Sequence, residues 1–499
     1  MSDKTTTKSD WLRYFDDIYD PRVQQVLYEM LTTGEESTED VISYILQIDK
    51  KRRDIQYGQF KRLKGDKARR FEWDDPREAD GVPILAREEK NVVKVNYRSH
   101  TPFDRAIVTN KKAYLMGIKP EITAGDAFAQ WAGENNFHTI LSEVTEDAVG
   151  QGEGFTLLYS PPGSREVFIT KEQAYNCVVI YDPDTGRPTY GLIYMYKTLL
   201  SADQKDAVSL SAYWYTERDV TEYEGSIFSV KRAGDPVPHL FQGVPLIEWR
   251  NNSERISDIE PVLGLMDLYD IMDSDLASEL GQLRLAYLFL KGMGYADQLQ
   301  AGEYGNGEDD PAKSISSQLQ RAGWIAAEGE DADMKFISKD INVEAVKYEK
   351  DDLKSRIFQM ANSYDPVSVQ GADSNVTAFQ IRMKLFPLEQ STAETVLHFQ
   401  NAFKYMFELL SDFYTNFGAG MASDEEPEII FKRNIPSNIV QDMIDARTAG
   451  FFISQNQIAD RLPFAIDQEL NAAELEAEAD RLLVTPDVPE VMGDDEPDR

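Results

Sequence analysis

Cysteine, histidine and positive charge are the scarce things in this sequence. One cysteine, Cys177, stands among 499 residues, so no intrachain disulfide can form, which suits a reducing compartment. The four histidines, His100, His138, His239 and His398, are too far apart to share a metal at ligand spacing, and with one cysteine they give no zinc pattern. Lys and Arg number 52 against 87 Asp and Glu, a net charge of −35. Such acidity argues against reading a nucleic-acid sequence, which calls for a basic face that displaces counterions. It is compatible with a channel through which DNA passes without sticking, because like charge keeps phosphates off a wall. No apolar run reaches the roughly 18 residues of a membrane span. The opening MSDKTTTKSD has no apolar core of a signal peptide. There is no G-x-x-x-x-G-K-[ST] phosphate loop and no nucleophile elbow.

What is present is a globular composition, 42% hydrophobic and 28% charged, with room for more than one core. From Trp11 to about Phe71 the pattern is helical, with basic clusters at 50–53 and 61–70 that read as a solvated face or a subunit contact, with DNA binding as the alternative. TPFDRAIVTNKKAYLMG (101–117) places Phe103, Ile107, Tyr114 and Leu115 at helical spacing and ends on Gly117. Residues 124–152 read as one further helix. Six strand-like segments follow: GFTLLYS, REVFIT, CVVIYD, YGLIYMYKT, SAYWYTE and SIFSVKR. Together they predict an antiparallel meander packed on helices, an α+β arrangement.

The next part alternates long helices with a short module. SDIEPVLGLMDLYDIMDSDLASELGQL (257–283) opens on Ser257 and Asp258 as cap candidates, with Pro261 near the first turn. Leu265, Leu268, Met272, Leu276, Leu280 and Leu283 form one stripe, and Asp267, Asp270, Asp273 and Glu279 the opposite face. Strand-like LAYLFLKGM, GWIAAE and MKFISKD then make a small α/β module, about 287–341. A second helix follows, with Val343, Val346, Leu353, Ile357 and Met360 on one stripe. The turn-prone loop SYDPVSVQGADSNVTAF comes next, then a helix from about Val376 to Phe417 that Pro387 is expected to interrupt and kink. A strand-like PEIIFKRNIP precedes a last helical unit, 437–482, and the acidic, Pro-containing end, 483–499, reads as disordered.

Signals for chemistry are weak. GQGEGF (150–155) follows a helix and enters a strand, the reverse of a dinucleotide loop, and reads as a helix stop. DPDTGRP (182–188) has Gly186 at the wrong offset for a calcium loop and reads as a hairpin turn. The Asp267–Asp270–Asp273 row reads as a solvated or channel-facing stripe. A metal-dependent phosphodiesterase using clustered carboxylates is the alternative, and another virion scaffold or adaptor protein a third reading.

This order of elements resembles that of tailed-bacteriophage portal proteins, above all those of siphophages of Gram-positive hosts. The most specific section is 334–389, with Leu385, Phe386, Pro387, Leu388 and Glu389 matching an L-x-P-L-E pattern. LAYLFLKG is similar to the family's entry into its clip, and NYRSHTPFDRAIVTNKKAYLMGIKPEIT to its wing segment ending in YL-x-G-x-P. RNIPSNIVQDMIDARTAGFFISQNQIADRLPF is similar to its crown. The resemblance implies an elongated subunit: an N-terminal helical part of the wing (1–90), the wing (91–256), and a stem helix (257–286). The clip (287–341), a second stem helix (342–363) and a tunnel loop (364–375) follow. The kinked spine and wing end (376–436), the crown (437–482) and the acidic tail (483–499) complete it.

It further implies a homo-oligomeric ring, usually a dodecamer, at one capsid vertex, assembled in the host cytoplasm and carried in the virion. The ring conducts double-stranded DNA during packaging, retention and ejection. Implied partners are the terminase large subunit, a head–tail connector protein, and the major capsid and scaffolding proteins, with no cofactor, no catalysis and no membrane. By position alone, Tyr364, Asp365, Val367, Ser368, Val369, Gln370, Gly371, Ala372, Asp373, Ser374 and Asn375 are carried over as the tunnel loop and Pro387 as the spine kink. The loop has neither Lys nor Arg, so the resemblance implies steric and polar contact with DNA rather than ion pairs with phosphates.

Overall fold

The computed structural model describes residues 8–12, 14–64, 99–161, 163–199, 207–283, 287–291, 324–327, 333–337, 343–365, 378–417 and 426–434. The chain divides into two compact units, Met1–Asn434 and Ile435–Arg499, and the second, which holds the expected crown and tail, lies outside the described residues.

Three helices come first: α1 (Lys8–Leu12), α2 (Pro21–Thr33) and α3 (Thr38–Leu63). Their starts follow local chemistry. Asp20 accepts from the Arg22 amide ahead of Pro21, Ser37 accepts from the Asp40 amide, and Gly34 ends α2 at a left-handed φ of 67°. After them come α4 (Phe103–Met116), β1 (Glu121–Thr123), α5 (Gly125–Glu134) and α6 (Phe137–Gln151). The single helix expected over 124–152 is therefore two. The break falls at Asn136, whose φ of 52° is a conformation asparagine tolerates better than most residues. Breaking there brings Phe128, Trp131 and Phe137 into one aromatic cluster.

The strands run β2 (Glu153–Tyr159), β3 (Phe168–Glu172), β4 (Cys177–Tyr181), β5 (Pro188–Leu199), β6 (Ala207–Tyr215), β7 (Asp219–Ser226), β8 (Ser229–Arg232), β9 (Val237–Pro238) and β10 (Leu246–Arg250). They make two sheets rather than one meander. The meander is β4-β5-β6-β7-β8, with β9 on β7, whereas β2 sits between β10 and β3 in a separate antiparallel sheet. Strand β10, LIEWR, is not among the six segments that read as strands; it carries two charges in five residues, Glu248 and Arg250, and Glu248 is buried. Helices α2 and α3 cover one face of the meander, where Val23, Leu27, Ile42 and Ile45 share a core with Val178, Ile180, Tyr194 and Trp214.

The glycine-rich and turn segments behave as read. Gly152 stops α6 at φ 93°, its N–H donating to the Ala148 carbonyl, and a Cβ there would lie 1.9 Å from the Arg255 carbonyl oxygen. Asp182 accepts from Asp184 N–H and the Thr185 hydroxyl to close the hairpin turn.

The remaining elements are α7 (Leu263–Leu283), β11 (Tyr287–Lys291), β12 (Trp324–Ala327), β13 (Asp333–Ile337), α8 (Val343–Met360), α9 (Ala378–Asn416) and β14 (Glu428–Ile430). The module between α7 and α8 is a three-stranded sheet ordered β12-β11-β13, with β11 parallel to β12 and antiparallel to β13. β14 pairs with β1. The chain is α+β, as the sequence predicted. Helix α9 runs unbroken through Pro387 for 39 residues, so the expected interruption is absent. The proline withholds a donor from the Met383 carbonyl, and Met383 and Pro387 both lie at the surface.

One basic cluster has an unexpected use. Arg52 is turned inward, bonding Asp49, Gln56, Glu153 and the Cys177 carbonyl. Tyr194 donates to Asp49 at 2.5 Å, while Arg255 binds Glu248 at 2.6 Å and lies over the Tyr19 ring. Burial opposes ionisation of Glu248, yet Arg255, Arg250 and the Tyr181 hydroxyl hold it well below the usual carboxylate range. These pairs fasten the N-terminal helices to both sheets. The solvated-face reading of 50–53 fails at Arg52 because its acidic partners, apart from Asp49, are distant in sequence.

Candidate functional site

Helices α7 and α8 pack on each other, and α9 packs on β10 and α4. Helix α8 packs through Ile357 and Phe358 onto Phe103, Ile107, Val262 and Met266. Leu353 and Ile357 are buried as the periodicity predicted, whereas Met360, assigned to the same stripe, is exposed. The helix ends at Asn362, whose φ is 49°, with Ser363 N–H donating to the Phe358 carbonyl at 2.9 Å.

The chain leaving α8 is held at three points. Asn110 on α4 donates to Ser363 Oγ at 3.1 Å and to the Tyr364 carbonyl at 2.8 Å. Lys354, one and a half turns back on α8, pairs with Asp365 at 2.7 Å. Burial pushes the Tyr364 hydroxyl above its ordinary pKa. Of the proposed loop, Tyr364 and Asp365 are thus anchored to their own subunit, and the Asp365 charge is met by Lys354. Val367, Ser368, Val369, Gln370, Gly371, Ala372, Asp373, Ser374 and Asn375 lie outside the described residues.

The acidic row of α7 is the main correction. Asp270 is buried, accepting from Thr101 N–H at 2.9 Å and facing His100 Nδ1 at 3.1 Å. Asp267 pairs with Arg62 at 2.7 Å, and Asp273 with Lys350. All three turn toward their own subunit, so the row is neither a solvated stripe nor an open set of metal ligands. Periodicity separated the two faces of α7, but the acidic face is the one that pairs within the subunit, while of the apolar stripe Leu265 packs partly on the core. Leu268, from the apolar stripe, is 44% exposed.

A second constellation joins segments that the sequence kept far apart. In the LFPLE stretch, Leu385 and Leu388 are buried and Phe386 and Pro387 face outward. Glu389 accepts from the Tyr114 hydroxyl at 2.6 Å and is gripped by Arg433 through Nε and Nη2. Tyr114 belongs to the YLMGIKP stretch, and Arg433 to the segment after β14. Gly117 sits against Asn434, whose side-chain nitrogen would be 2.2 Å from any Cβ there. Asn434 N–H donates to the Tyr114 carbonyl at 3.1 Å. Next along α9, Ser391 meets Lys111 of α4, which is 1% exposed and satisfied by Asn251 Oδ1 at 2.9 Å, Ser391 Oγ at 2.8 Å and Asp258 at 3.0 Å. Thr395 donates to the Asn251 carbonyl at 2.8 Å. Sequence reasoning missed Lys111, since nothing local marks a lysine whose three partners lie 140, 147 and 280 residues away.

The arrangement locks α4, α9, the segment after β10 and the segment after β14 together, and holds residues 363–365, as they leave α8, against α4 and α8. Among the described residues, no group of three or more His, Cys, Asp or Glu side chains is placed to hold a metal ion, and no helix is long and apolar enough to cross a membrane.

Comparison with known proteins agrees with that architecture. The portal protein of Bacillus phage SPP1 is 22% identical over 411 residues, covering 77% of this chain and 76% of the relative. The portal protein of Clostridium phage phiCD119 is 22% identical over 275 residues, 53% of this chain and 56% of that relative, so the chain spans little more than half the length of the latter. The family model described as phage portal protein, SPP1 Gp6-like, matches residues 47–482, and with so much of its length inside the match the chain belongs to that family.

Proposed function

We propose that the chain forms a ring, of twelve copies in the virion, at one capsid vertex, through which double-stranded DNA is packaged, retained and ejected. The observation that carries this reading is the element order. Helix α7, a three-stranded module, helix α8 and a 39-residue helix follow one another inside a chain of the portal family. The role is structural. The β11–β13 module, within 287–341, is the docking surface for the terminase large subunit and later for the head–tail connector. The unit from 435 onward faces the capsid interior, where the major capsid and scaffolding proteins assemble around the ring.

The loop 364–375 then stands at the narrow part of the tunnel, with Pro387 bending the spine outward. Since α7 spends its acidic row inside the subunit, the negative wall falls to α8, whose Glu344, Glu349, Asp351 and Asp352 are all exposed. Like charge there holds phosphates off the surface. A negative-stain image of the purified protein tests the ring: a particle with a central hole is expected, and a monomer overturns the reading. Replacing Gly371 or Asp373 should impair packaging or retention while leaving rings intact; normal packaging by both variants removes the loop assignment.

A further inference from the structure

The ion cluster that fastens α3 to the two sheets leaves one carboxylate half satisfied. Asp49 of α3, Glu153 at the start of β2 and Glu248 of β10 are all buried. Arg52 takes Asp49 through Nε and Nη2. Arg255 takes Glu248 at 2.6 and 3.3 Å, and Arg250 adds to Glu248 at 3.1 Å from a more exposed position. Glu153 is left with a share of Arg52. Its Oε1 accepts from Nη1 of that guanidinium and from Gln56 Nε2 at 2.8 Å. Its Oε2 is buried and accepts no hydrogen bond among the described residues, since Arg255 Nε, 3.5 Å away, is turned to Glu248. Against the same Arg255 lies the ring of Tyr19 at 3.6 Å, and the Tyr19 hydroxyl is likewise buried without a hydrogen bond among the described residues.

A charged carboxylate oxygen is costly to bury without a donor. A proton on it removes the charge and makes the group a donor itself, with the Tyr19 hydroxyl as an unused acceptor beside the same guanidinium. The other ionisable groups around Glu153 supply no further cation. The hydroxyls of Tyr181 and Tyr194 donate to Glu248 and Asp49, and Cys177 of β4 is a buried thiol. Lys171 of β3 pairs with Asp147 of α6 at 2.7 Å, and its neighbour Glu172 brings only negative charge. His398 of α9 faces Glu394 at 3.8 Å. We propose that Glu153 is a proton-binding site, with the proton on Oε2, and that its occupancy sets how firmly α3 holds to the two sheets. Burial pushes this carboxyl up to about 7, with Glu248 adding to the shift and Arg52 and Arg255 opposing it.

Amide exchange on the full chain, corrected for the pH dependence of exchange itself, reads the opening of α3. A carboxyl raised on folding adds stability below its unfolded pKa, about 4.3, and loses it as pH rises through the folded value. The opening constant of α3 in wild type is therefore expected to rise about tenfold from pH 6 to pH 8. Glu153→Gln imitates the protonated carboxyl at every pH and is expected to keep the protection of wild type at pH 6 under both conditions. The repulsion of an acidic chain acts on both proteins alike, so the difference between them belongs to this one group. A flat wild-type opening constant, or a rise of the same size in Glu153→Gln, overturns the site. If Glu153→Gln fails to fold, Glu248→Gln decides. Removing that like charge frees Arg255 for Glu153 and moves the midpoint of the change to lower pH, and an unmoved midpoint overturns the site. Each outcome is the same whether or not the chain forms rings.

Discussion

The turns of α9 before and after Pro387 belong to one helix and differ in how they hold on to the subunit. After the proline, Glu389, Ser391 and Thr395 are bonded to Tyr114, Lys111 and Asn251, and Phe399, Phe403 and Phe407 enter a large aromatic-rich core. Before it, Leu385 is buried but Met383 and Phe386 lie open. The helix thus draws most of its anchoring within the subunit from its later turns.

The largest expected effect comes from the polar lock. Lys111→Ala leaves Asp258 and Asn251 without their buried cation and is expected to cost about 3–5 kcal/mol in denaturant unfolding. A loss under about 1 kcal/mol would show that the locked half does not depend on the lock.

A same-residue pair sharpens the contrast. Leu388 is 2% exposed and Leu397 is 62% exposed on one helix. Leu388→Ala is expected to cost about 2–5 kcal/mol. Leu397→Ala should stay within about 0.5 kcal/mol when measured on the dissociated subunit. Equal costs would erase the distinction between a face spent on folding and a face left open.

A smaller effect is set by pH at the boundary. Burial opposes ionisation of Glu389, but hydrogen bonds from Arg433 and Tyr114 outweigh it and hold the carboxyl below its ordinary range. A carboxylate lowered on folding adds stability above its unfolded pKa, about 4.3, and loses it as pH falls through the folded value. Wild type is therefore expected to lose stability on acidification below about pH 4.3 more steeply than Glu389→Gln. Parallel curves would mean that the Tyr114–Glu389–Arg433 contact contributes nothing.

Much of the fold was legible because helix and strand periods are local. The alternation of long helices with a short β module, and the burial of Leu353 and Ile357, came from spacing alone. What spacing could not give was which face of α7 turns inward. Two faces, one apolar and one acidic, satisfy the same period, and the choice was made by Arg62, His100 and Lys350, which lie 205, 170 and 77 residues from their aspartates. The junction was hidden for the same reason: Tyr114, Glu389 and Arg433 stand in separate stretches that only folding brings together. The split of α5 from α6 was nearer to hand, since paired asparagines at 135 and 136 mark a turn.

The smallest expected effect on stability bears most directly on the loop. Lys354 and Asp365 are both partly exposed, so breaking their pair with Lys354→Ala should cost no more than about 1 kcal/mol. Asn110 still holds Ser363 and Tyr364 in that variant, and α8 should remain intact. The loosened segment is the one after Asp365, and faster amide exchange is expected from 365 onward with no change across Val343–Met360. If the whole of α8 exchanges faster instead, Lys354 supports the stem helix rather than the loop, and the two halves of the comparison are joined through α8. If nothing changes, Asn110 alone fixes where the loop begins. Asn110 sits one residue before Lys111 and one helical turn before Tyr114, so the segment then begins where α4 is already locked to α9.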